Sequence, residues 1–226
     1  MTQDWVEWHA TYDDPGSHLQ RRLEIVQRRL RDAIGDAPPG DLRLISLCAG
    51  QGRDVIGVLA AHERRDDVAA RLVELDDRLV EQARAGITAT GLERVEVVAR
   101  DAGDLAVYAG MVPADLVLVC GVFGNISDDD VARTVRLLPS LCRPGATVLW
   151  TRHRLEPDLT PTIRQWFAEA GFEEVGFETV EGFFFGVGAH RWPGPTPAAP
   201  GEERLFTFVG HRALRPDSWP PPAPPG

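Results

Sequence analysis

The chain has 226 residues, of which 43% are hydrophobic and 26% charged, so its composition is that of a globular protein and excludes a fully disordered or fibrous chain. Acidic residues outnumber basic ones 34 to 24, which gives a net charge of −10 and disfavours a nucleic-acid partner. All the basic residues are arginines, and the absence of a lysine amine excludes Schiff-base and P-loop chemistry.

Residues 1–40 are predicted to form an aromatic and helical cap. Apolar residues at helical spacing predict a helix over 17–34, with Ser17 as its N-cap. The Ala-Pro-Pro-Gly segment at 37–40 ends this helix. The apolar stripe of the helix consists of Leu19, Leu23, Val26, Leu30 and Ile34.

From residue 41 onward, short apolar runs alternate with amphipathic segments. Continuous Val, Ile and Leu runs are typical of parallel strands that helices cover on both faces. The predicted strands are LRLISLC (42–48), AARLVELD (69–76), VEVVARD (95–101), ADLVLVCG (114–121) and ATVLWTRH (146–153). The pattern predicts an α/β fold over residues 41–212, a doubly wound and mostly parallel seven-stranded sheet.

The end of the chain departs from this alternation. After a predicted helix at 161–171, the aromatic runs FFFGVGAHRW (183–192) and ERLFTFVGHR (203–212) are predicted to pair as an antiparallel hairpin at the edge of the sheet. Residues 213–226 form a Pro-rich tail that cannot pack a core.

The cysteines and the N-terminal sequence indicate the compartment. Cys48, Cys120 and Cys142 are too few and too scattered for a disulfide framework or a zinc site. The sequence MTQDWVEWH lacks the pattern of a signal peptide, and no apolar run is long enough for a membrane span. We therefore expect a cytoplasmic protein without a metal and without a membrane partner.

A glycine loop follows the first predicted strand, within LISLCAGQGRD (44–54). Ala49, Gly50, Gln51 and Gly52 separate this strand from a predicted helix, and glycine lets the backbone turn through positive φ while a ligand approaches without a Cβ in the way. A dinucleotide loop needs a third glycine where this chain has Val55, which favours a ligand without a pyrophosphate. The alternative is that the glycines only close a tight turn.

Acidic residues follow the second and third predicted strands. Glu74 and Asp76 differ by two positions and point to the same face, where an acid can accept both hydroxyls of a ribose. Alternatively, one of them caps the next helix. Asp101 either accepts a hydrogen bond from an adenine amine or caps the short turn that follows it. The fourth strand ends at Cys120 and Gly121, on the far side of the same crevice.

Together these segments resemble the motifs of class I S-adenosylmethionine-dependent methyltransferases, over roughly residues 42–212. LCAGQGRD resembles the glycine-rich first motif, VELDDRLVEQAR the second, ARDAGDL the third and ADLVLVCGVFGNI the fourth. LLPSLCRPGATVLWTRH resembles the helix, Pro-Gly turn and strand that follow. The first motif departs from the family, because the usual acid is replaced by Ser46 or Leu47 and the usual first glycine by Ala49. How the methionine amino group is held is therefore open.

The resemblance implies S-adenosylmethionine as the cofactor, bound at the loop from Cys48 to Gly52. It implies that Asp76, or Glu74 in its place, binds the ribose hydroxyls. It implies that Asp101 meets the adenine amine and that Ala102 stacks or bonds through its backbone. It implies that Cys120 and Gly121 lie near the sulfonium and that Tyr12 reaches the methionine carboxylate.

The implied activity is methyl transfer by in-line displacement to an O or N nucleophile of a small organic acceptor. Because the sulfonium already makes the methyl group electrophilic, the protein mainly positions the acceptor and excludes water. The alternative is a cofactor-binding sensor or scaffold domain without turnover, and Val55 disfavours a nicotinamide oxidoreductase.

Candidate residues for the acceptor side lie on segments that flank the strand ends. His153 follows the fifth strand and is a base, an orienting donor or a structural residue. Asn125 either caps the helix near residue 128 or contacts the acceptor. The N-terminal aromatic residues either form a lid or pack in the core: Trp5, Trp8, His9 and Tyr12. Candidates for an aromatic pocket, several of which must be core, are Phe183, Phe184, Phe185, His190 and Trp192.

Overall fold

The computed structural model describes Trp5 and residues 11–14, 16–198, 201 and 204–214. Its strands form one sheet in the order β3-β2-β1-β4-β5-β7-β6, in which β1 to β5 run parallel and β7 runs antiparallel to both of its neighbours. The strands are β1 (Leu42–Leu47), β2 (Val68–Glu74), β3 (Val95–Ala99), β4 (Ala114–Val119), β5 (Cys142–His153), β6 (Glu173–Thr179) and β7 (Phe185–Arg191). The prediction of a doubly wound, mostly parallel seven-stranded sheet is confirmed.

Helices cover both faces of the sheet. They are α1 (His18–Asp36), α2 (Arg53–Leu59), α3 (Asp77–Thr90), α4 (Asp128–Leu137), α5 (Thr160–Glu169) and α6 (His211–Leu214). Successive residues of β1 point to opposite faces. Leu44 belongs to a buried cluster that includes residues of α1, α2 and α3, whereas Ile45 belongs to a second cluster that includes residues of α4 and α5. Both Leu44 and Ile45 are fully buried, which explains why the sequence of this strand is apolar at consecutive positions.

The first long helix begins and ends where the sequence predicts. The side chain of Ser17 accepts a hydrogen bond from the backbone N–H of Gln20 (3.1 Å), and the helix ends just before Ala37. Its buried positions include Val26, Leu30 and Ile34 of the predicted stripe. The predicted stripe position Leu23 instead lines a cavity at the carboxyl edge of the sheet.

The predicted hairpin is wrong in one of its two strands. The antiparallel pair at the sheet edge consists of β6 and β7, so the run at 183–192 is a strand but pairs with the segment before it. Residues 204–210, here called the C-terminal strap, instead cross the carboxyl edge of the sheet. The Leu205 N–H donates to the Gly103 carbonyl (2.8 Å), and the Gly210 N–H donates to the Asn125 carbonyl (2.9 Å). Leu205 and Phe206 of the strap are buried, so their apolar side chains contribute to the core without forming a strand.

The predictions for Trp8, His9 and the tail beyond residue 214 lie outside the described residues. Within the described part of the chain, no helix combines the length and the apolar character that crossing a bilayer requires.

The contact between the strap and Gly103 generates a stability prediction. A Cβ at residue 103 would lie 2.2 Å from the carbonyl oxygen of Phe206, and a backbone atom cannot move aside cheaply. We expect Gly103→Ala to lower the free energy of unfolding by about 1–3 kcal/mol, the range for overpacked sites. The measurement is equilibrium unfolding in urea.

Gly35→Ala is the matched control, because a Cβ at this helical position meets nothing within 4 Å. It should raise stability by roughly 0.5–1 kcal/mol, since alanine favours the helix. Equal stability of the two variants would show that the strap does not press on residue 103.

Candidate functional site

A cavity of about 340 Å³ lies at the carboxyl edge of the sheet, where the segments after β1, β2, β3 and β4 meet. Such a position, outside the carboxyl ends of strands in an open α/β sheet, is where this fold binds ligands. The cavity is lined by Trp5, Tyr12, Arg22, Leu23, Cys48, Ala49, Gln51, Arg53, Asp54, Glu74, Leu75, Asp76, Leu79, Asp101, Ala102, Cys120, Gly121, Asn125 and Phe208. The structure thus brings the predicted site residues together, except Gly50, Gly52 and His153.

The glycine loop places alternate residues in the left-handed region. Cys48, Gly50 and Gly52 have φ values of 51°, 57° and 66°. In the motif resemblance, Ala49 stands where the family usually has its first glycine. In the structure, however, it is Cys48 that adopts the positive φ that favours glycine. A non-glycine residue in this region carries a local conformational cost.

Gly52 and Gly50 have structural roles in this loop. A Cβ on Gly52 would lie 2.7 Å from Cδ1 of Leu72 and 2.9 Å from Cδ1 of Ile56, so this glycine lets α2 pack closely against β2. The N–H of Gly50 donates to Oε2 of Glu74 (2.8 Å). The alternative of glycines that close a tight turn therefore accounts for these two positions.

Glu74 connects two of the segments that line the cavity. It is the last residue of β2, and its Oε1 accepts from the N–H groups of Leu75 (2.8 Å) and Asp76 (2.9 Å). Together with the bond from Gly50, these contacts hold its carboxylate in one orientation. The carboxylate is therefore preorganised at the wall of the cavity.

Asp76 caps α3, which is the alternative that the sequence left open for this pair of acids. Its Oδ1 accepts from the N–H of Arg78 (2.9 Å), and its Oδ2 lies 3.0 Å from the guanidinium of the same residue. The hydrogen bond from Arg78 lowers the pKa of Asp76 below the usual value, with a smaller opposing effect of burial. The carboxylate is therefore ionised and already partnered at the cavity wall.

Asp101 contacts both the turn after β3 and the C-terminal strap. Its Oδ1 accepts from the N–H of Gly103 (2.8 Å), and its Oδ2 forms an ion pair with Arg204. Asp101 thus caps the turn that directly follows it, which is the structural alternative for this residue, since its carbonyl also accepts from the Asp104 N–H (3.1 Å). The next helical turn, Leu105–Tyr108, is capped by Asp104. Ala102 is buried, and its carbonyl accepts from the Tyr108 hydroxyl (2.7 Å).

The end of β4 forms the opposite side of the cavity. Gly121 has φ 76°, and its N–H donates to Oγ1 of Thr151 (2.9 Å). Asn125 donates from Nδ2 to the Gly121 carbonyl (2.6 Å) and accepts at Oδ1 from the His211 N–H (2.9 Å). Ser127, not Asn125, caps α4. Asn125 therefore fixes the C-terminal strap to the end of β4.

The N-terminal segment closes the cavity through two arginines. Tyr12 accepts a hydrogen bond at its hydroxyl from Nη2 of Arg22 (2.9 Å), and the guanidinium of Arg53 lies 5.5 Å from the centre of its ring. Arg53 also pairs with Asp13 (2.7 Å). Trp5 contacts Phe208 of the strap edge to face, with ring centres 5.5 Å apart. Both ends of the described chain thus contribute to this site.

Sequence reasoning missed several lining residues, chiefly Arg22, Asp54 and Phe208. Arg22 lies on α1 beside the predicted apolar stripe and carries no local sign of a ligand. Asp54 directly follows the glycine loop, and its position in LCAGQGRD was the one available signal. Phe208 lies in the run 203–212, which the sequence predicts as a strand, so its approach to the cavity has no sequence signal.

Other candidates lie elsewhere. His153 is not among the lining residues, and its ring contacts that of His211 edge to face, with centres 4.7 Å apart. His190 is buried against Phe167, and burial lowers its pKa to about 4, so its imidazole is neutral. The remaining members of the predicted aromatic pocket do not line the cavity either: Phe183, Phe184, Phe185 and Trp192.

Within the described residues, no group of three or more His, Cys, Asp or Glu side chains is placed to hold a metal ion. The cavity instead offers carboxylates, arginines, backbone amides and aromatic rings. Such groups bind polar organic ligands.

Several solved structures share this fold. Magnesium protoporphyrin IX methyltransferase from Synechocystis PCC 6803, solved with bound S-adenosylmethionine, is 14% identical, with a TM-score of 0.63 over 83% of this chain and 90% of that chain. 1,6-Didemethyltoxoflavin-N1-methyltransferase from Burkholderia thailandensis was solved with 1,6-didemethyltoxoflavin and S-adenosylhomocysteine. It is 16% identical, with a TM-score of 0.60 over 86% of this chain and 92% of that chain. An O-methyltransferase family protein from the same organism is 19% identical, with a TM-score of 0.61 over 81% of this chain. This chain spans 57% of the length of that protein.

The fold is that of the class I methyltransferases. A family model described as "Putative methyltransferase" matches residues 16–169, well over half of the chain, and the chain belongs to this family. No curated protein matches the chain by sequence.

The three cysteine thiols generate a reactivity prediction. Burial raises the pKa of Cys142 to about 12, and it also raises the pKa values of Cys48 and Cys120. Because the thiolate is the reactive form, we expect the folded protein at pH ~8 to react with a disulfide reagent such as DTNB far more slowly than the urea-unfolded chain. The measurement is absorbance at the thiolate product band. Rapid labelling of the folded protein would contradict the burial of these groups.

Proposed function

We propose that this protein transfers the methyl group of S-adenosylmethionine to an O or N nucleophile of a small organic acceptor. The observation that supports the proposal is the convergence of Cys48, Ala49, Glu74, Asp101 and Gly121 on one cavity in a chain of the methyltransferase family. When bound, S-adenosylmethionine supplies a methyl group that its sulfonium makes electrophilic.

The donor set of the cavity fits the adenosine part of this cofactor. Carboxylates accept hydrogen bonds from hydroxyl and amine groups, which matches Glu74 to a ribose and Asp101 to an adenine amine. The side chain of Leu75 is 66% exposed at the cavity wall and offers an apolar surface to a planar base. Ala102, which follows Asp101, also lines the cavity and offers its backbone to the base.

Of the two acids at the end of β2, we assign the ribose to Glu74. Three backbone N–H groups fix the orientation of its carboxylate at the cavity wall and leave its charge without an ion-pair partner among the described residues, whereas the charge of Asp76 is paired with Arg78. Asp76 lines the same side of the cavity and caps α3 there. This assignment reverses the order that the motif resemblance implied.

The acceptor side is formed by aromatic and small groups at the end of β4. Trp5, Phe208 and Gly121 surround the cavity there, and Cys120 stays protonated because burial raises its pKa. These groups exclude water and hold an acceptor of modest size near the sulfonium end, which suffices for an in-line displacement. The role of His153 as a base stays a prediction, since this residue lies outside the lining.

The proposal extends to partners and compartment. The net charge of −10 favours a small-molecule acceptor over a nucleic acid. Cys48, Cys120 and Cys142 are free thiols, which suits the reducing cytoplasm.

Cofactor choice is tested by thermal shift with S-adenosylhomocysteine and with NAD. At a concentration of 100 times its dissociation constant, S-adenosylhomocysteine should stabilise the protein by about 2.7 kcal/mol, and NAD should not. Stabilisation by NAD alone would overturn the proposal. Turnover is then tested with radiolabelled donor and a panel of phenols, amines and carboxylic acids, since binding without transfer to any acceptor is the behaviour of a sensor or scaffold.

The ribose assignment generates a mutational prediction. Glu74→Gln removes a charged acceptor, so the affinity for S-adenosylhomocysteine should fall by about 10-fold or more, whereas Asp76→Asn keeps a good helix cap and should change it little. Isothermal titration calorimetry measures both. If Asp76→Asn has the larger effect while both variants unfold like the unmodified protein, the ribose belongs to Asp76.

A further inference from the structure

Two aromatic rings from opposite ends of the described chain meet at the cavity. Phe208 belongs to the C-terminal strap and Trp5 to the N-terminal segment; their ring centres lie 5.5 Å apart, with an angle of 72° between the ring planes. Both residues line the cavity and both are only partly buried, so their rings are not sealed inside the core. This pair, here called the aromatic corner, therefore offers apolar ring surface to a molecule in the cavity.

The backbone is anchored on both sides of Phe208. The N–H of Thr207 donates to Oδ2 of Asp130 (2.9 Å), and the N–H of Val209 donates to the carbonyl of Asn125 (2.9 Å). These bonds fix the main chain from which the Phe208 ring extends. The corner is thus formed before a ligand arrives, which lowers the ordering cost of binding.

The strap also determines which end of the cavity holds the aromatic corner. Its first residue, Arg204, pairs with Asp101 after β3, on the side that we assign to adenine. The residue that follows Phe208 instead bonds to Asn125 after β4, and Asn125 donates to the Gly121 carbonyl (2.6 Å). The aromatic corner therefore lies at the end of β4, on the acceptor side.

The amide of Asn125 has a fixed orientation beside this corner. Its Oδ1 accepts from the His211 N–H (2.9 Å) and its Nδ2 donates to the Gly121 carbonyl, so the oxygen and the nitrogen of the amide are distinguished. An amide nitrogen carries two hydrogens. The second hydrogen has no acceptor among the described residues, although Asn125 lines the cavity. It is available to a lone pair of a ligand.

The angle between the two rings favours a planar aromatic ligand. A third ring that lies parallel to one of them is inclined at 72° to the other, so it can stack on the first and meet the second edge to face. Both are preferred arrangements of aromatic pairs, and their stabilisation adds to that from burying apolar surface. A saturated ring of the same size obtains only the burial.

We propose that the methyl acceptor is a planar aromatic molecule whose ring packs in the aromatic corner. An oxygen or ring nitrogen of this molecule accepts a hydrogen bond from Nδ2 of Asn125, through a lone pair other than the one that attacks the methyl group. The inference rests on the proposed function and narrows its acceptor to phenols and nitrogen heteroaromatics. Phe208 is then a specificity-determining residue, and Asn125 orients the acceptor.

The need for an aromatic ring is tested with the protein saturated with S-adenosylhomocysteine. The probes 2-naphthol and decahydro-2-naphthol share a carbon skeleton and a hydroxyl group, but only the first is aromatic. By ligand-observed NMR titration, 2-naphthol should bind about 10-fold tighter, the size expected for two aromatic contacts. Phe208→Leu keeps an apolar side chain but removes the ring, so this preference should fall to about threefold or less.

Phe184→Leu is the matched control for this variant. It makes the same substitution at a partly buried phenylalanine that does not line the cavity. The control should keep the preference for 2-naphthol. Both variants should bind S-adenosylhomocysteine within about twofold of the unmodified protein, which shows that the cofactor region is folded.

The hydrogen bond from Asn125 is tested with quinoline and naphthalene, which differ by one ring nitrogen in place of a CH group. Quinoline should bind about fivefold tighter, within the range for a single hydrogen bond. Asn125→Asp keeps an acceptor for the His211 N–H and removes the amide donor, so the two probes should then bind equally. Binding of naphthalene by this variant reports that the aromatic corner is intact.

The outcomes separate this inference from the proposed function. If the protein binds S-adenosylhomocysteine but has no preference for 2-naphthol, or binds neither naphthol, the inference is overturned. It is also overturned if the preference persists in Phe208→Leu or falls as much in Phe184→Leu. A preference for quinoline that survives in Asn125→Asp would remove Asn125 from the acceptor site. If S-adenosylhomocysteine itself does not bind, the proposed function fails.

Discussion

Parallel pairing of β1 with β2 and with β4 is the constraint on which the candidate site depends. Parallel strands deliver all their carboxyl ends to one edge of the sheet, and in the order β3-β2-β1-β4 those ends are neighbours. The segments after them can therefore touch, as the bond from the Gly50 N–H to Glu74 illustrates. An antiparallel arrangement of the same strands would send alternate ends to opposite edges, and no shared cavity would form.

Once the edge is assembled, its chemistry follows from which side chains remain available. Several predicted ligands also have structural roles: Gly52 makes room for Leu72, Asp76 caps α3, and Asn125 fixes the strap. A binding role for these residues therefore has to be weighed against a structural one.

The two terminal segments enclose the edge that the strands create. The C-terminal strap contacts Gly103 after β3 and Asn125 after β4, so it spans the cavity from one side to the other. Trp5 meets Phe208 of this strap, and Tyr12 is held by Arg22 on α1. In our proposal, this enclosure keeps water away from the methyl group while the sheet edge holds the cofactor.

The sequence by itself determined the strands, most helices, the glycine loop and the acids at Glu74, Asp76 and Asp101, because each of these has a local pattern. Apolar runs mark buried strands, and a strand end followed by glycines or acids marks the edge where ligands bind. Local pattern also suggested the correct N-cap, Ser17. The choice between ribose ligand and helix cap at Asp76 was visible as an alternative but not decidable, since both roles favour the same residue type.

The tertiary structure alone decided the path of residues 204–210 and the pairing partner of β7. The aromatic alternation of the strap fits a strand, yet its backbone bonds to Gly103 and Asn125, contacts far apart along the chain that no local pattern encodes. The same holds for Arg22 and Asp54, which lie on different helices and line the same cavity only because α1 packs beside α2. From the sequence alone, a charged residue on a helix surface is interpreted as exposed to solvent. Whether it lines a cavity depends on which element the fold packs beside that helix.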